Sequence, residues 1–174
     1  MYRCLPDRCA EIRTGGRVIN QKAYNILEDM NMIAIGSDHA AARLRTIVKQ
    51  YLDEKQIPYI DCGTDEAPSD YPVIAIKVCE QIQTGKADMG ILLCGTGIGV
   101  SMTANKCKGI RAAVCTDEYC AKYTRLHNDA NVLCMGERVV GAGLASTILD
   151  AFLNTEFEGG RHQRRVDMMM ALEK

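Results

Sequence analysis

The chain has 174 residues and a formal net charge of -1, which suits one domain with its own apolar core and provides no bulk positive field for nucleic acid. With two Phe and no Trp a base-stacking surface is not expected, and no apolar run approaches the roughly 20 residues of a membrane span. In chain order, residues 1 to about 30 carry little pattern beyond Gly15-Gly16, scattered charge and a weak helical hint over 23–30. They read as an extension outside the core or, alternatively, as a short docking helix, and the domain proper is expected to span 32–174.

From Met32 the elements alternate regularly. A strand over 32–36 is followed by an amphipathic helix over 40–55, with Leu44, Ile47, Val48, Tyr51 and Leu52 on one face. A strand over 57–61, a loop over 63–72 rich in Asp, Pro and Ser, and a helix over 71–83 come next. An apolar strand over 89–93 leads into a glycine-rich turn and a helix start over 100–106. Strand 110–115, helix 117–126, strand 131–135, helix 141–153 and, after Gly159-Gly160, a final helix over 162–173 complete the pattern. Alternation with short loops predicts an α/β fold of three layers: a doubly wound, five-stranded parallel sheet covered on both faces. Ligands are then expected at the carboxyl ends of the strands.

The most informative stretch is Cys94-Gly95-Thr96-Gly97-Ile98-Gly99, where a strand gives way to a helix. Glycine at alternate positions lets the backbone turn sharply and gather N–H groups into one concavity, which together with a helix start suits an oxyanion. The spacing is not the full dinucleotide fingerprint, and no Gly-Lys-Ser/Thr follows as in a P-loop. A merely structural turn remains an alternative, as does a buried cysteine acting only as a small apolar residue. The nine cysteines are odd in number and nowhere spaced Cys-x-x-Cys, and most lie in apolar segments, so they read as reduced cytoplasmic thiols rather than a disulfide or zinc framework. No signal-peptide stretch opens the sequence.

Of the three histidines, His39 and His127 lie beside carboxylates at element ends, and His162 sits in Gly159-Gly160-Arg161-His162-Gln163-Arg164-Arg165. Asp38 could simply cap the first helix, and His127 could be a helix C-terminal cation. Arg161, Arg164 and Arg165 at a helix start oppose the dipole, so an anion supplied from elsewhere makes better sense of them. A thiol, an anion turn, two histidines and arginines together point to proton transfer on a phosphorylated substrate.

The runs Gly36-Ser37-Asp38-His39, Ser69-Asp70-Tyr71-Pro72, Cys94 to Gly99, Ala104-Asn105-Lys106, His127-Asn128-Asp129 and Glu158 to Gln163 closely resemble type B ribose-5-phosphate isomerases. That family also includes galactose-6-phosphate isomerase subunits and allose-6-phosphate isomerase. The resemblance covers Met32 to about Glu173. It implies a Rossmann-like homodimer, sometimes paired into tetramers, with the C-terminal helix on the partner subunit and each site built from two chains. By position, Cys94 matches the catalytic base and His127 the residue that assists ring opening. Asp38, His39, Asn128 and the turn residues Gly95, Gly97, Ile98 and Gly99 match substrate contacts. Arg138, Arg161 and Arg165 match residues around the phosphate, and Tyr71 lines the pocket. One branch of the family carries a glutamate base at the position of Val100, so this chain falls with the cysteine type.

The implied reaction moves a proton between the first two carbons of a sugar phosphate through an enediolate, with no metal or organic cofactor. Cys94 as thiolate takes the proton, Thr96 passes one between the oxygens, His127 opens the furanose ring and the arginines hold the phosphate. Ribose 5-phosphate is the expected substrate, with a six-carbon sugar phosphate as the nearest rival and the loop 65–69 as the feature that sets pocket width. A non-catalytic nucleotide-binding module and a cysteine hydrolase are the rivals from other classes; the first leaves the thiol unexplained and the second the arginines.

Overall fold

The computed structural model describes residues 11–18, 31–63 and 69–173. Its strands are β1 (Glu11–Thr14), β2 (Arg17–Val18), β3 (Ile33–Ser37), β4 (Tyr59–Asp61), β5 (Met89–Cys94), β6 (Ala112–Val114) and β7 (Val132–Gly136). The helices are α1 (Ala42–Glu54), α2 (Tyr71–Gln83), α3 (Ile98–Ala104), α4 (Glu118–Asn128), α5 (Ala142–Leu153) and α6 (Arg161–Met170). All strands join one sheet in the order β2-β1-β4-β3-β5-β7-β6, and the run from β4 to β6 is parallel.

Residues alternate between two apolar layers with the period of two that a strand imposes. Ile33, Ile35, Ile91, Leu93, Leu133 and Met135 pack with Leu44, Val48, Ile148 and Phe152 of α1 and α5 on one face. Ala34, Leu92, Val132 and Cys134 pack with Ile74, Val78, Val100 and Ala104 of α2 and α3 on the other. The chain runs from β3 outward to β4 and then crosses back to β5, so the topological switch point lies between β3 and β5. Clefts at such a point, at the carboxyl ends of the strands, are where this architecture binds ligands.

The five expected parallel strands are all present, and two further strands extend the sheet to seven. Residues 11–18 form a hairpin that pairs antiparallel with β4, Ile12 opposite Ile60, and Ile12 packs against the second apolar layer. Its turn is Gly15-Gly16, both at positive φ, the conformation that favours glycine in a two-residue hairpin. Strands of four and two residues are too short to show periodicity, which is why the turn was the only signal. The helical hint over 23–30 lies outside the described residues, as do positions 64–68 of the loop invoked for pocket width. At the opposite edge of the sheet, the Asn105 side chain takes the place of a strand. Its amide donates to the Ala112 carbonyl at 2.8 Å and accepts from the Ala112 N–H at 2.9 Å.

Helix α6 packs along α4 of its own chain. Asp129 ends α4 in the left-handed conformation and is held by Arg111 at 2.7 Å and Arg125 at 2.9 Å. Among the described residues no helix is long and apolar enough to cross a membrane, and the seven described cysteines are free.

Among the described residues, Ile12 is the hairpin side chain packed on the apolar layers, which otherwise come from residues 32 onward. Deleting residues 1–31 is therefore expected to leave a cooperative fold, less stable by about 1–2 kcal/mol, or roughly 5 °C in Tm, from lost pairing at β4. Thermal unfolding of the truncated chain measures this, and loss of a cooperative transition would make the hairpin integral to the domain.

Candidate active site

Strands β3 and β5 pair so that Ser37 lies opposite Leu93, which brings the residues following each strand to the same end of the switch point. Asp38 follows β3, and its N–H donates to the Leu93 carbonyl at 3.3 Å. Its carboxylate accepts from the Ala40 N–H at 2.9 Å, so the capping role that the sequence allows is present. His39 begins the short 3-10 turn and is exposed. The Ser37 hydroxyl beneath them is buried without a hydrogen-bond partner.

Cys94 ends β5 and is 5 % exposed. Its Sγ accepts the Gly97 N–H at 3.0 Å, because Gly97, at φ +80°, folds the turn back over the sulfur. The Ile98 N–H donates to Thr96 Oγ1 at 3.3 Å, and α3 starts from there. The turn is clamped against β7: Glu137 N–H donates to the Cys94 carbonyl at 3.0 Å and Arg138 N–H to the Gly95 carbonyl at 3.1 Å. Gly136 is the closest fit of all, since a Cβ there would stand 2.5 Å from the Thr96 backbone. The Arg138 guanidinium reaches over Gly95, and the Tyr71 ring lies where a Cβ on Gly99 would meet it at 2.8 Å. Asp38, His39, Tyr71, Cys94, Gly95, Thr96, Gly97, Ile98, Gly99 and Arg138 therefore form one assembly.

His127, Asn128, Arg161 and Arg165 belong to another. Strand β7 begins at Val132, opposite Gly90, and ends at Gly136, opposite Cys94. Helix α4 runs back along the sheet and delivers His127 and Asn128 just before Val132, at the far end of β7. Five residues of strand separate the two ends, a rise of roughly 13 Å. The His127 ring stacks on His162 of α6 at 4.0 Å and 4° from parallel, and Glu158 N–H donates to the Leu126 carbonyl at 3.0 Å. Arg161 lies beside His162, its Nε donating to Nε2 at 3.3 Å, and Arg165 follows one helical turn on. Within a single chain the predicted residues thus form two clusters at opposite ends of the sheet.

The cysteines differ sharply in surroundings. Burial pushes the Cys62 and Cys115 thiols up to about 12 and also raises Cys79 and Cys134 well above the ordinary thiol value, keeping all four protonated. Cys94 is the described cysteine whose sulfur accepts a backbone N–H, an arrangement that supports negative charge on sulfur. Sequence reasoning missed Gly136 and Glu137, whose carboxylate accepts the Leu44 N–H at 2.9 Å. Their importance lies in contacts between distant segments, and only the glycine itself hinted at close approach. The cluster of Glu158 with the two histidines was likewise unassigned.

A doubly wound sheet with a thiol under an anion-accepting turn at its switch point defines an α/β enzyme of small-molecule chemistry. The chain belongs to the Ribose/Galactose Isomerase family, whose model matches residues 33–169, and the likeness to type B ribose-5-phosphate isomerases read from its motifs holds. It is 47 % identical over 146 residues to ribose-5-phosphate isomerase B of Escherichia coli, covering 83 % of this chain and 98 % of that one. The solved ribose-5-phosphate isomerase B of Clostridium thermocellum superposes with a TM-score of 0.80 at 48 % identity, covering 82 % of this chain and 97 % of the other. That of Thermotoga maritima gives 0.80 at 49 %, with 82 % and 99 % covered. The chain is accordingly an isomerase, and not a nucleotide-binding module or a cysteine hydrolase.

Gly136→Ala is expected to push the Thr96 backbone away from β7 and so displace the sulfur's N–H donor, costing about 1–3 kcal/mol of stability and most activity. Gly99→Ala should move only the Tyr71 ring, raising KM with stability nearly kept. Chemical denaturation and steady-state kinetics of the two variants separate these effects; equal behaviour would show that the β7 clamp does not set the turn.

Proposed function

We propose that the protein interconverts ribose 5-phosphate and ribulose 5-phosphate through an enediolate, with Cys94 as base, in the cytoplasmic non-oxidative pentose phosphate pathway. The observation that carries this reading is the Cys94 sulfur held 3.0 Å from the Gly97 N–H at the switch point of the sheet. The names of the E. coli, C. thermocellum and T. maritima relatives support the choice of sugar. Cys94 takes the proton from C2 of the open aldehyde and returns it to C1, while the Thr96 hydroxyl relays a proton between O1 and O2. The electron pair left at C2 moves into the enediolate, whose oxyanion is met by backbone N–H groups of the turn, each worth about 3 kcal/mol. Asp38, His39, Tyr71 and Arg138 hold the substrate around it, and no metal or organic cofactor takes part. A six-carbon sugar phosphate, allose 6-phosphate or galactose 6-phosphate, is the second reading, favoured by the galactose in the family's own description.

His127, Asn128, Arg161 and Arg165 lie at the other end of the sheet from Cys94, too far to act on one bound sugar in the same chain. We infer that a second copy supplies them, so the working unit is a homodimer, alone or paired into a tetramer, with two sites that each join the Cys94 end of one chain to the His127 end of the other. His127 then opens the furanose ring, and the arginines grip the phosphate by paired hydrogen bonds.

Cys94→Ala is expected to lower kcat by about a hundredfold or more with substrate binding retained. Comparing kcat/KM for ribose 5-phosphate and allose 6-phosphate decides the sugar, and near-normal turnover in Cys94→Ala would remove the base. For the shared site, Cys94→Ala and Arg161→Ala chains are each expected to be nearly inactive. Co-refolded as a heterodimer, they place both defects in one site and leave the other whole, restoring about half the activity of the unmutated dimer. A verified heterodimer that stays inactive would place the whole site within one chain.

A further inference from the structure

Two side chains at the His127 end have no task in the reaction just described: Glu158 and His162. Helix α4 carries Tyr119, Tyr123 and His127 at intervals of four, and their rings touch in series, with centroids 4.3 Å and then 4.9 Å apart. His162 of α6 closes the series by lying flat on His127. The Glu158 backbone is fixed to the end of α4 by its hydrogen bond to Leu126, and Oε2 stands 3.7 Å from Nε2 of both histidines.

Two imidazolium rings face to face would repel strongly, so once one ring of such a stack is charged, charging the second is disfavoured. Which ring is charged first follows from the hydrogen bonds. Arg161 Nε donates to His162 Nε2, so that nitrogen is a lone pair and the proton of neutral His162 sits on Nδ1. Burial, then the neighbouring His127 and Arg161, push His162 below the ordinary histidine value; Arg165 acts in the same direction and Glu158 against it. His127 faces Tyr123, His162 and Glu158, and the Glu158 carboxylate is the one acidic group among them.

We propose that Glu158 is a positioning residue for His127: its carboxylate keeps the single proton of the histidine pair on His127 Nε2, and the neutral His162 ring fixes the plane in which that N–H points. Glu158 is half exposed and its Oε2 stands 3.7 Å from His127 Nε2, beyond hydrogen-bond distance, so that N–H stays open to a ring oxygen of the sugar without a rearrangement of α4 or α6. This rests on the ring-opening role given to His127 above. The same three side chains suit a divalent metal poorly. Two imidazole planes 4° from parallel cannot both aim an in-plane lone pair at one ion, and Arg161 already occupies the His162 lone pair.

The test uses the full chain, whose three histidines give few imidazole resonances; labelled histidine, with His127→Asn and His162→Asn for assignment, resolves the pair. In the unmutated protein the first proton is expected on His127, with His162 in its Nδ1–H form at pH 7. Glu158→Gln, an isosteric change at an exposed side chain, should move that first protonation down by about half a pH unit or more, roughly a threefold loss of proton affinity. Glu158→Asp should recover part of it. Because ring opening needs the protonated His127, the alkaline limb of kcat should move down by the same amount in Glu158→Gln, with KM within about twofold. A first midpoint unchanged by Glu158→Gln, a first proton on His162, or a shifted midpoint with an unmoved kcat limb would each overturn the proposal. If no sugar phosphate is turned over, the functional reading fails, while the resonances still decide where the proton sits.

Discussion

The site depends on how tightly the turn after β5 is pressed against the end of β7. Gly136 leaves no room between its Cα and the Thr96 backbone, and two hydrogen bonds from Glu137 and Arg138 tie the carbonyls of Cys94 and Gly95 to the same strand end. With those carbonyls pointed toward β7, the Gly97 N–H is free to turn inward and meet the Cys94 sulfur. The glycines of the turn thus answer two different demands. Gly97 supplies a backbone conformation, and Gly99 and Gly136 supply absent side chains where a ring and a peptide pass.

The order of strands and helices from residue 32 onward could be read from alternation of short apolar runs and amphipathic helices, because each such element satisfies its own periodicity. The Cys94 turn was legible for the same reason, being local. The placement of His127 was not. A motif at the end of a helix reads in sequence much like a motif at the end of a strand, yet the helices return the chain to the opposite side of the sheet. Gathering His127 with Cys94 by element ends alone therefore merged two clusters into one. Gly136 escaped notice because its constraint comes from Thr96, forty residues earlier in the chain, and the hairpin at residues 11–18 because its strands are short.

Chemistry among the many thiols is sorted by environment and not by composition. Burial in an apolar layer keeps Cys62, Cys79, Cys115 and Cys134 protonated, so they serve as small core residues. Cys94 shares the layer of Cys62, Cys79 and Cys134 but lies at its rim, where the strand stops and backbone donors begin. The two histidines make a parallel case: identical rings in stacked contact have different neighbours, a guanidinium bonding one ring while a carboxylate stands equally near both.

The Asn105 amide, bonded both ways to Ala112, has a consequence for assembly. A bare β6 would offer its outward backbone groups to any passing strand, the route by which sheets fuse across molecules. Here the first of those groups is already occupied by a side chain that cannot itself be extended, and the hairpin stands along the other margin of the sheet. The two borders thus end differently, one in a short exposed hairpin and the other in a strand whose first residue is paired by a side-chain amide. A strand added beside Ala112 would first have to break both bonds of the Asn105 amide.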